Sequence, residues 1–363
     1  MRALSTFALL WSLTGPVFGG QGGANFPNLT EGDYVIENFK FVSGETLPQL
    51  RLHYTTIGMP AKDASGVVQN AVLIMHGTTG NGRSFLPNNQ FAGVLFRTGQ
   101  LLDASRYYII LPDAIGHGRS SKPSDGLHMR FPHYTYDDMV AAQYQMLTRH
   151  LGVNHMRLIM GTSMGGMMSW VWGYMYPDFM DALMPLASLP VEIAGRNRMM
   201  RKMMIDSIRN DPEWKDGEYQ SPPRRGLIGA INVMLFMVSS PLQWQKAAPT
   251  RVAAEAFLES RTNAYLKSLD ANDMIYQYDA SRDYNPAPHL EEIRAPLYAI
   301  NSADDQVNPP ELGILDKEIK RVKRGRYILI PISDQTSGHG THSNPAIWGK
   351  YLGELLAGSG KRP

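Results

Sequence analysis

Gly161-Thr162-Ser163-Met164-Gly165 lies between a compact apolar run, Met156 to Met160, and a helix-like segment that begins at Gly166. Strand, sharp turn and helix in that order, with a serine at the apex and a glycine on each side, is the sequence form of a nucleophile elbow. The turn forces strained backbone at the serine, and the flanking positions approach other backbone so closely that a side chain would collide. The hydroxyl is thereby pushed outward. Five residues can match by chance in a chain with 34 glycines, so the surrounding sequence has to carry the fold.

Outward from the elbow the strand rhythm is regular. Tyr34 to Val42 and Leu50 to Thr56 alternate polar and apolar residues, the pattern of a half-exposed antiparallel hairpin at a sheet edge. Ala71 to Met75, Tyr107 to Leu111, Met156 to Met160, Ala182 to Leu186, Pro296 to Ile300 and Tyr327 to Ile330 are short apolar runs that suit buried parallel strands. Helix-like patterns separate most of them, which predicts an α/β fold with a mostly parallel central sheet. Thr135 followed by Asp138, just before Met139-Val140-Ala141-Ala142, reads as a capping box that starts one helix, so Asp138 is assigned to the cap. Between Leu189 and Asn285 the strand rhythm stops and the chain turns helical and methionine-rich, with Met199, Met200, Met203, Met204, Met234 and Met237. This predicts a helical cap over 189–285, inserted into a core made of 24–188 and 286–363, with the methionines filling contacts between cap helices.

Composition narrows the chemistry. The 363 residues are 43% hydrophobic and 19% charged, with a formal charge of +2, which gives no reason to expect a nucleic acid partner. Cysteine is absent, so disulfides, thiolate nucleophiles and cysteine-held metals are excluded. The ten histidines form no H-E-x-x-H pair, and His339 with His342 lacks a third ligand nearby, so neither metal nor cofactor is expected. Met1-Arg2, the apolar Ala8 to Leu13 and the small residues Gly19 to Gly23 read as a signal peptide over 1–23, too short and too broken by Thr14, Gly15 and Pro16 for a membrane anchor. Export to the periplasm or beyond is expected, with no stable membrane insertion after cleavage.

A serine hydroxyl is a weak nucleophile near neutral pH. It needs a histidine to take its proton and a carboxylate to orient that histidine. In elbow-bearing folds the acid and then the histidine follow the serine, each in a loop after a strand. After Pro296 to Ile300 comes a loop with Asp304 and Asp305. Either can be the acid; Asp305 is preferred for its distance to Pro309-Pro310, and the other aspartate is read as a solvated turn residue. After Tyr327 to Ile330 comes Gly338-His339-Gly340-Thr341-His342, then Asn344-Pro345 opening the last helix. His339, between glycines, is preferred as the general base, with His342 satisfying the loop. Oxyanion donors are expected from the Met164 amide and, in the glycine-rich turn His76-Gly77-Thr78-Thr79-Gly80, from the Thr78 amide. His76 is read as a loop-packing residue, and Asp113 and His117 as members of a self-bonded glycine-rich turn.

Phe131-Pro132, Thr135, Asp138-Met139-Val140 and Gly161 to Met167 carry a resemblance to a known family. In the cap, Asp211-Pro212, Trp214, Gly217, Tyr219, Pro222 to Leu227, Asn263 to Leu266, Asp270 and Asp273 add to it. With these the chain resembles the homoserine O-acetyltransferase branch of the α/β-hydrolase superfamily, over nearly all of its length after Tyr34. The resemblance implies the α/β-hydrolase fold, a Ser163, Asp305 and His339 triad, and a helical cap that contributes to a homodimer interface. Two departures bear on activity. Gly116 to Pro123 is short and hydrolase-like where acetylating members have a glycine- and serine-rich segment. The position that holds the amino-acid carboxylate through an arginine in that family corresponds to Ile231, and an isoleucine offers no bidentate anchor. Together with export away from acyl-coenzyme A, these departures point to water as acyl acceptor. The expected activity is cleavage of an ester, thioester or related bond of a small acyl substrate. Transfer to an alcohol by the same triad is the alternative. A non-catalytic binding protein on this fold would usually lack a triad member, and none is missing.

Overall fold

In the computed structural model, eight strands form one sheet in the order β1-β2-β4-β3-β5-β6-β7-β8. The structure describes residues 26–87 and 90–360; the expected signal peptide at 1–23 lies outside them. Strands β1 (Thr30–Lys40) and β2 (Thr46–Ile57) pair antiparallel at one edge, and β2 runs antiparallel to β4 (Tyr108–Pro112). The other pairings are parallel and involve β3 (Ala71–Met75), β5 (Leu158–Thr162), β6 (Leu183–Leu186), β7 (Leu297–Ser302) and β8 (Gly325–Ile330). This is the mostly parallel sheet with an antiparallel hairpin that the apolar runs predicted.

The central strands β3 to β6 are buried on both faces because alternate strand residues enter different cores. Leu73, Met75, Ile110 and Ile159 face a cluster with Met139, Val140, Met168, Trp170 and Val171, from helices α1 (Tyr136–Gln145) and α2 (Met164–Met175). Val72, Ile74, Ile109 and Met160 face a second cluster with Trp348 and Leu352 of the last helix, Pro345–Gly358. Thr135 starts α1 as the capping box required: its hydroxyl accepts from Asp138 N at 3.3 Å, and the Asp138 carboxylate accepts from Thr135 N at 2.8 Å. The other Asp138 oxygen accepts from Val42 N at 2.8 Å, which ties the edge hairpin to the helix start.

Between β6 and β7 lie α3 (Gly195–Arg209), α4 (Arg224–Met237), α5 (Pro241–Ala247), α6 (Arg251–Leu266) and α7 (Ala271–Asp279), and we number Pro345–Gly358 as α8. Their own core contains Met204, Ile208, Leu227, Ile231, Met234 and Ile275. Met199 and Met203 instead stand 65% and 56% exposed, so they do not fill helix contacts. Among the described residues no single helix is long and apolar enough to cross a membrane.

β5 departs from its expected limits. Met156 makes only an isolated parallel bridge to Met180, and the strand runs on through Gly161 and Thr162, which pair with Pro185 and Leu186 of β6. Neighbouring strands on both sides hold the glycine in the ladder despite its poor strand propensity. Thus the sheet continues up to Ser163, and the turn has no slack. A Cβ at Gly165 would collide with the backbone carbonyl of Met75, and one at Gly161 with the backbone of Gly165. Neither obstacle is a flexible side chain. Gly165→Ala is therefore expected to cost about 3 kcal/mol of stability, the upper range for overpacking, as read by urea unfolding; a loss under about 0.5 kcal/mol, the scale of an unconstrained surface change, would contradict the rigid elbow.

Candidate active site

Ser163 sits where β5 passes into α2, with φ 55° and ψ −112°. Positive φ is costly for a residue with a Cβ, and the structure retains it here because strand and helix are both fixed by packing. Ser163 N donates to Leu186 O at 2.9 Å and Ser163 O accepts from Met167 N at 2.9 Å, so the backbone is committed on both sides and the hydroxyl is left free to bond outward.

Three side chains from separate loops form a hydrogen-bonded line that starts at that hydroxyl. His339 Nε2 lies 2.8 Å from Ser163 Oγ, and His339 Nδ1 lies 2.9 Å from Asp305 Oδ2. An ionised carboxylate only accepts, so Nδ1 carries the proton and Nε2 presents its lone pair to the serine. Asp305 is fully buried, with Oδ1 accepting from Val307 N at 2.8 Å and Oδ2 also accepting from Asn308 Nδ2 at 3.1 Å. Burial pushes its carboxyl up, but the charge and hydrogen bond of His339, with Asn308 and the Val307 amide, outweigh burial and hold it below the usual range. The acid therefore stays ionised through neutral pH.

The aspartate not facing the histidine is not the solvated turn residue that its loop position suggested. Asp304 is 7% exposed; Oδ1 accepts from Ser302 Oγ at 2.5 Å, and Oδ2 accepts from Gly338 N at 2.9 Å. It is drawn inward because Gly338, at φ 59°, turns the histidine loop back over the acid loop and exposes an amide that needs an acceptor. Asp305 thus orients the imidazole and Asp304 fixes the backbone beside it. Asn308, which also donates to Ala187 O at 2.9 Å, has no sequence signal beyond its place in the acid loop.

His342 stands edge-on to His339 with ring centroids 5.2 Å apart, and its Nδ1 lies 3.0 Å from Ser343 Oγ. It belongs to the loop, as its position suggested. Met164 is the first residue of α2, where an amide has no intrahelical acceptor, and Gly77 lies so close to Ser163 that a Cβ there would be 3.4 Å from the serine Cβ. The Thr78 amide follows directly. Asp113 accepts from Gly82 N and Arg119 N, both at 2.7 Å, which makes it the hub of its turn. Among the described residues no group of three or more His, Asp or Glu is placed to hold a metal.

Comparison with known proteins follows the same lines. The family model of the alpha/beta hydrolase fold matches residues 70–331. The chain is 34% identical over 311 residues to a homoserine O-acetyltransferase of Moorella thermoacetica, covering 74% of this chain and 80% of that one. It is 29% identical over 280 residues to a probable acyltransferase of Methanothermobacter thermautotrophicus, covering 77% and 84%. Among solved structures, an acetylester hydrolase from Corynebacterium glutamicum superposes with a TM-score of 0.79 at 20% identity, covering 90% of this chain and 96% of that one.

Proposed function

The chain belongs to the alpha/beta hydrolase family, in its homoserine O-acetyltransferase-like branch, and from that premise we propose that it is an exported serine hydrolase of small acyl substrates. The relatives make it an acyl-transferring enzyme; the hydrogen-bonded line from Ser163 through His339 to Asp305 is the observation that carries the proposed mechanism.

His339 Nε2 takes the Ser163 proton as Oγ bonds to the acyl carbon. Asp305 stabilises the imidazolium that results. The oxygen of the attacked carbonyl becomes negative and is met by the Met164 and Thr78 amides, which need not reorganise during the step. Collapse breaks the bond to the leaving group, which takes the proton from His339. Water then enters: His339 removes its proton, its oxygen bonds to the acyl carbon, and Ser163 leaves with the proton restored.

Water is favoured over an alcohol as acceptor by the two departures from the family. Ile231, at the position where the family places its carboxylate-holding arginine, is fully buried among Met204, Ile208 and Leu227 of the cap core. Gly116 to Ser121 closes as a tight turn, with Gly116 N donating to Ser121 O at 2.9 Å and Ser120 N to His117 O at 3.0 Å. Ile231 offers no charge to an amino-acid acceptor, and Arg119 of the turn is paired with Glu31 at 3.1 Å. The signal-like N-terminus supports export and hence distance from acyl-coenzyme A.

Transfer and hydrolysis separate in one assay. With acetyl-coenzyme A or a simple acetyl ester as donor, acyl release is expected to be unchanged by homoserine. Acceptor-dependent release of coenzyme A, with O-acetylhomoserine as product, would overturn the hydrolase reading. A fluorophosphonate probe is expected to label the intact protein at Ser163 and to leave Ser163→Ala unlabelled.

A further inference from the structure

The Thr78 amide belongs to the planar peptide unit whose carbonyl is that of Gly77. In a trans peptide the N–H points opposite to the C=O, so whatever fixes the carbonyl also aims the amide. Gly77 O is held by two donors, Gly80 N at 2.9 Å and His76 Nδ1 at 2.8 Å. The other His76 nitrogen, Nε2, accepts from Ala114 N at 3.0 Å. A backbone amide can only donate, so this geometry requires a neutral ring protonated on Nδ1. Burial, which pushes the His76 ring down to about 4, agrees with that form.

The ring is 1% exposed and thus spans two loops, the one after β3 and the one after β4. The β4 loop is itself braced: Asp113 accepts from Gly82 N at the far end of the β3 loop, and Ser120 Oγ donates to Asp113 O at 2.8 Å. The segment from Gly77 to Gly82 is therefore tied at both ends to a single neighbouring loop, with Gly77 beside Ser163.

We infer that His76 is a positioning residue for acyl chemistry at Ser163: its ring clamps the Gly77 carbonyl against the β4 loop and so aims the Thr78 amide at the carbonyl oxygen under attack. This rests on Ser163 being the nucleophile. A carbonyl that accepts two hydrogen bonds also polarises its own amide, so the clamp strengthens the donor it directs.

Three variants separate aiming from mere loop packing. His76→Phe keeps a ring and removes both bonds. His76→Asn places an NH₂ near the Nδ1 position and keeps the bond to Gly77 O. His76→Gln places a polar group near the Nε2 position and keeps only the tie to Ala114. Loss of one oxyanion donor costs roughly 10²–10³ in kcat, and a misaimed donor should cost about 10². The expected result is that Phe and Gln lower kcat about 10²-fold with KM within about twofold, while Asn, which restores the second donor to Gly77 O without the tie to the β4 loop, recovers part of the loss.

The decisive readout is the ratio of ester to thionoester turnover. A thiono sulfur is large and a poor acceptor, so it draws little from the amide donors, and misaiming them should cost the ester far more than the thionoester. In Phe and Gln the ratio is expected to fall in step with kcat, and in Asn to return toward wild type. A folded His76→Phe with a wild-type ratio, or Gln recovering as well as Asn, would overturn the inference. Should His76→Phe fail to fold, the Gln and Asn pair decides it by the same criteria. Ser163→Ala, assayed alongside, keeps the two readings apart: turnover surviving in that variant defeats the nucleophile assignment, whereas a wild-type ratio in the His76 variants, with Ser163→Ala inactive, defeats only the clamp.

Discussion

The double variant Ser163→Ala/His339→Ala is expected to turn over esters no more slowly than either single variant, with each single variant about 10⁶-fold below wild type in kcat. His339 Nε2 has one partner at 2.8 Å, the Ser163 hydroxyl, so once that hydroxyl is gone there is no proton for the ring to take. The costs overlap because the two groups perform one step. Residual turnover of about 10³-fold over water would persist in all three variants through binding and the backbone donors. His342 will not substitute, because it stands edge-on to His339 and its Nδ1 is engaged by Ser343. Asp305→Asn should cost about 10⁴ for a different reason. Its new NH₂ would replace an oxygen that now accepts from both His339 Nδ1 and Asn308 Nδ2, and would drive the imidazole into the tautomer whose Nε2–H points at the serine. Steady-state ester hydrolysis by the purified variants measures all four. A His339→Ala enzyme with more than about a tenth of wild-type kcat, or a double variant at the product of the single losses, would show that these side chains do not act as the unit described.

What the sequence made legible were features that one segment determines by itself. The buried parallel strands are near-continuous apolar runs bounded by turns, and β3, β4, β6, β7 and β8 lie within two residues of where those runs put them. The elbow was legible because strand, serine and helix are contiguous. Ser163 was therefore singled out more sharply than the residues that meet it. Asp304 and Asp305 are adjacent, and propensity cannot say which carboxylate of a loop faces a histidine 34 residues away. The division of labour between these aspartates follows from how the acid and histidine loops pack. The same limit hid the His76 bond to Ala114 N, which crosses 38 residues, and the Asp113 bond to Gly82 N. Spacing reports neighbours within an element, whereas the donors and acceptors that finish this site belong to loops brought together only by the sheet order.

Stability should fall steeply as the pH drops from about 6 to about 4.5, a fall that begins above the range in which surface carboxylates titrate. Burial, aided by neighbouring histidine charge at the latter two, pushes His76 down to about 4, His117 to about 3 and the partly buried His342 to about 3, from an ordinary 6.5. Each is thus neutral when folded and protonated when unfolded across this window, so its contribution is complete above 6.5 and is lost as the pH falls toward the folded value. Asp273 works in the opposite sense. Burial and then Asp270 raise its carboxyl from 3.8 to about 7, so in the same window it holds a proton when folded and none when unfolded. Its contribution is complete below 3.8 and is lost as the pH rises through 7. Three protons taken up on unfolding against one released leave a net uptake of two, a slope of roughly 2.7 kcal/mol per pH unit. From pH 6 to pH 4.5 the loss is about 4 kcal/mol, a large share of the 5–15 kcal/mol that holds a typical domain together. Urea midpoints measured at half-unit steps test this. Asp273→Asn can keep both contacts to Ser124, whose amide and hydroxyl now bond the carboxylate at 2.8 and 2.7 Å, and it removes the opposing titration. Its slope should rise to about three protons, roughly 4 kcal/mol per pH unit. A flat profile between pH 6 and 4.5 in the parent protein would mean that the histidines are not held neutral inside the fold, and a variant slope equal to the parent's would mean that Asp273 does not bind its proton in the folded state.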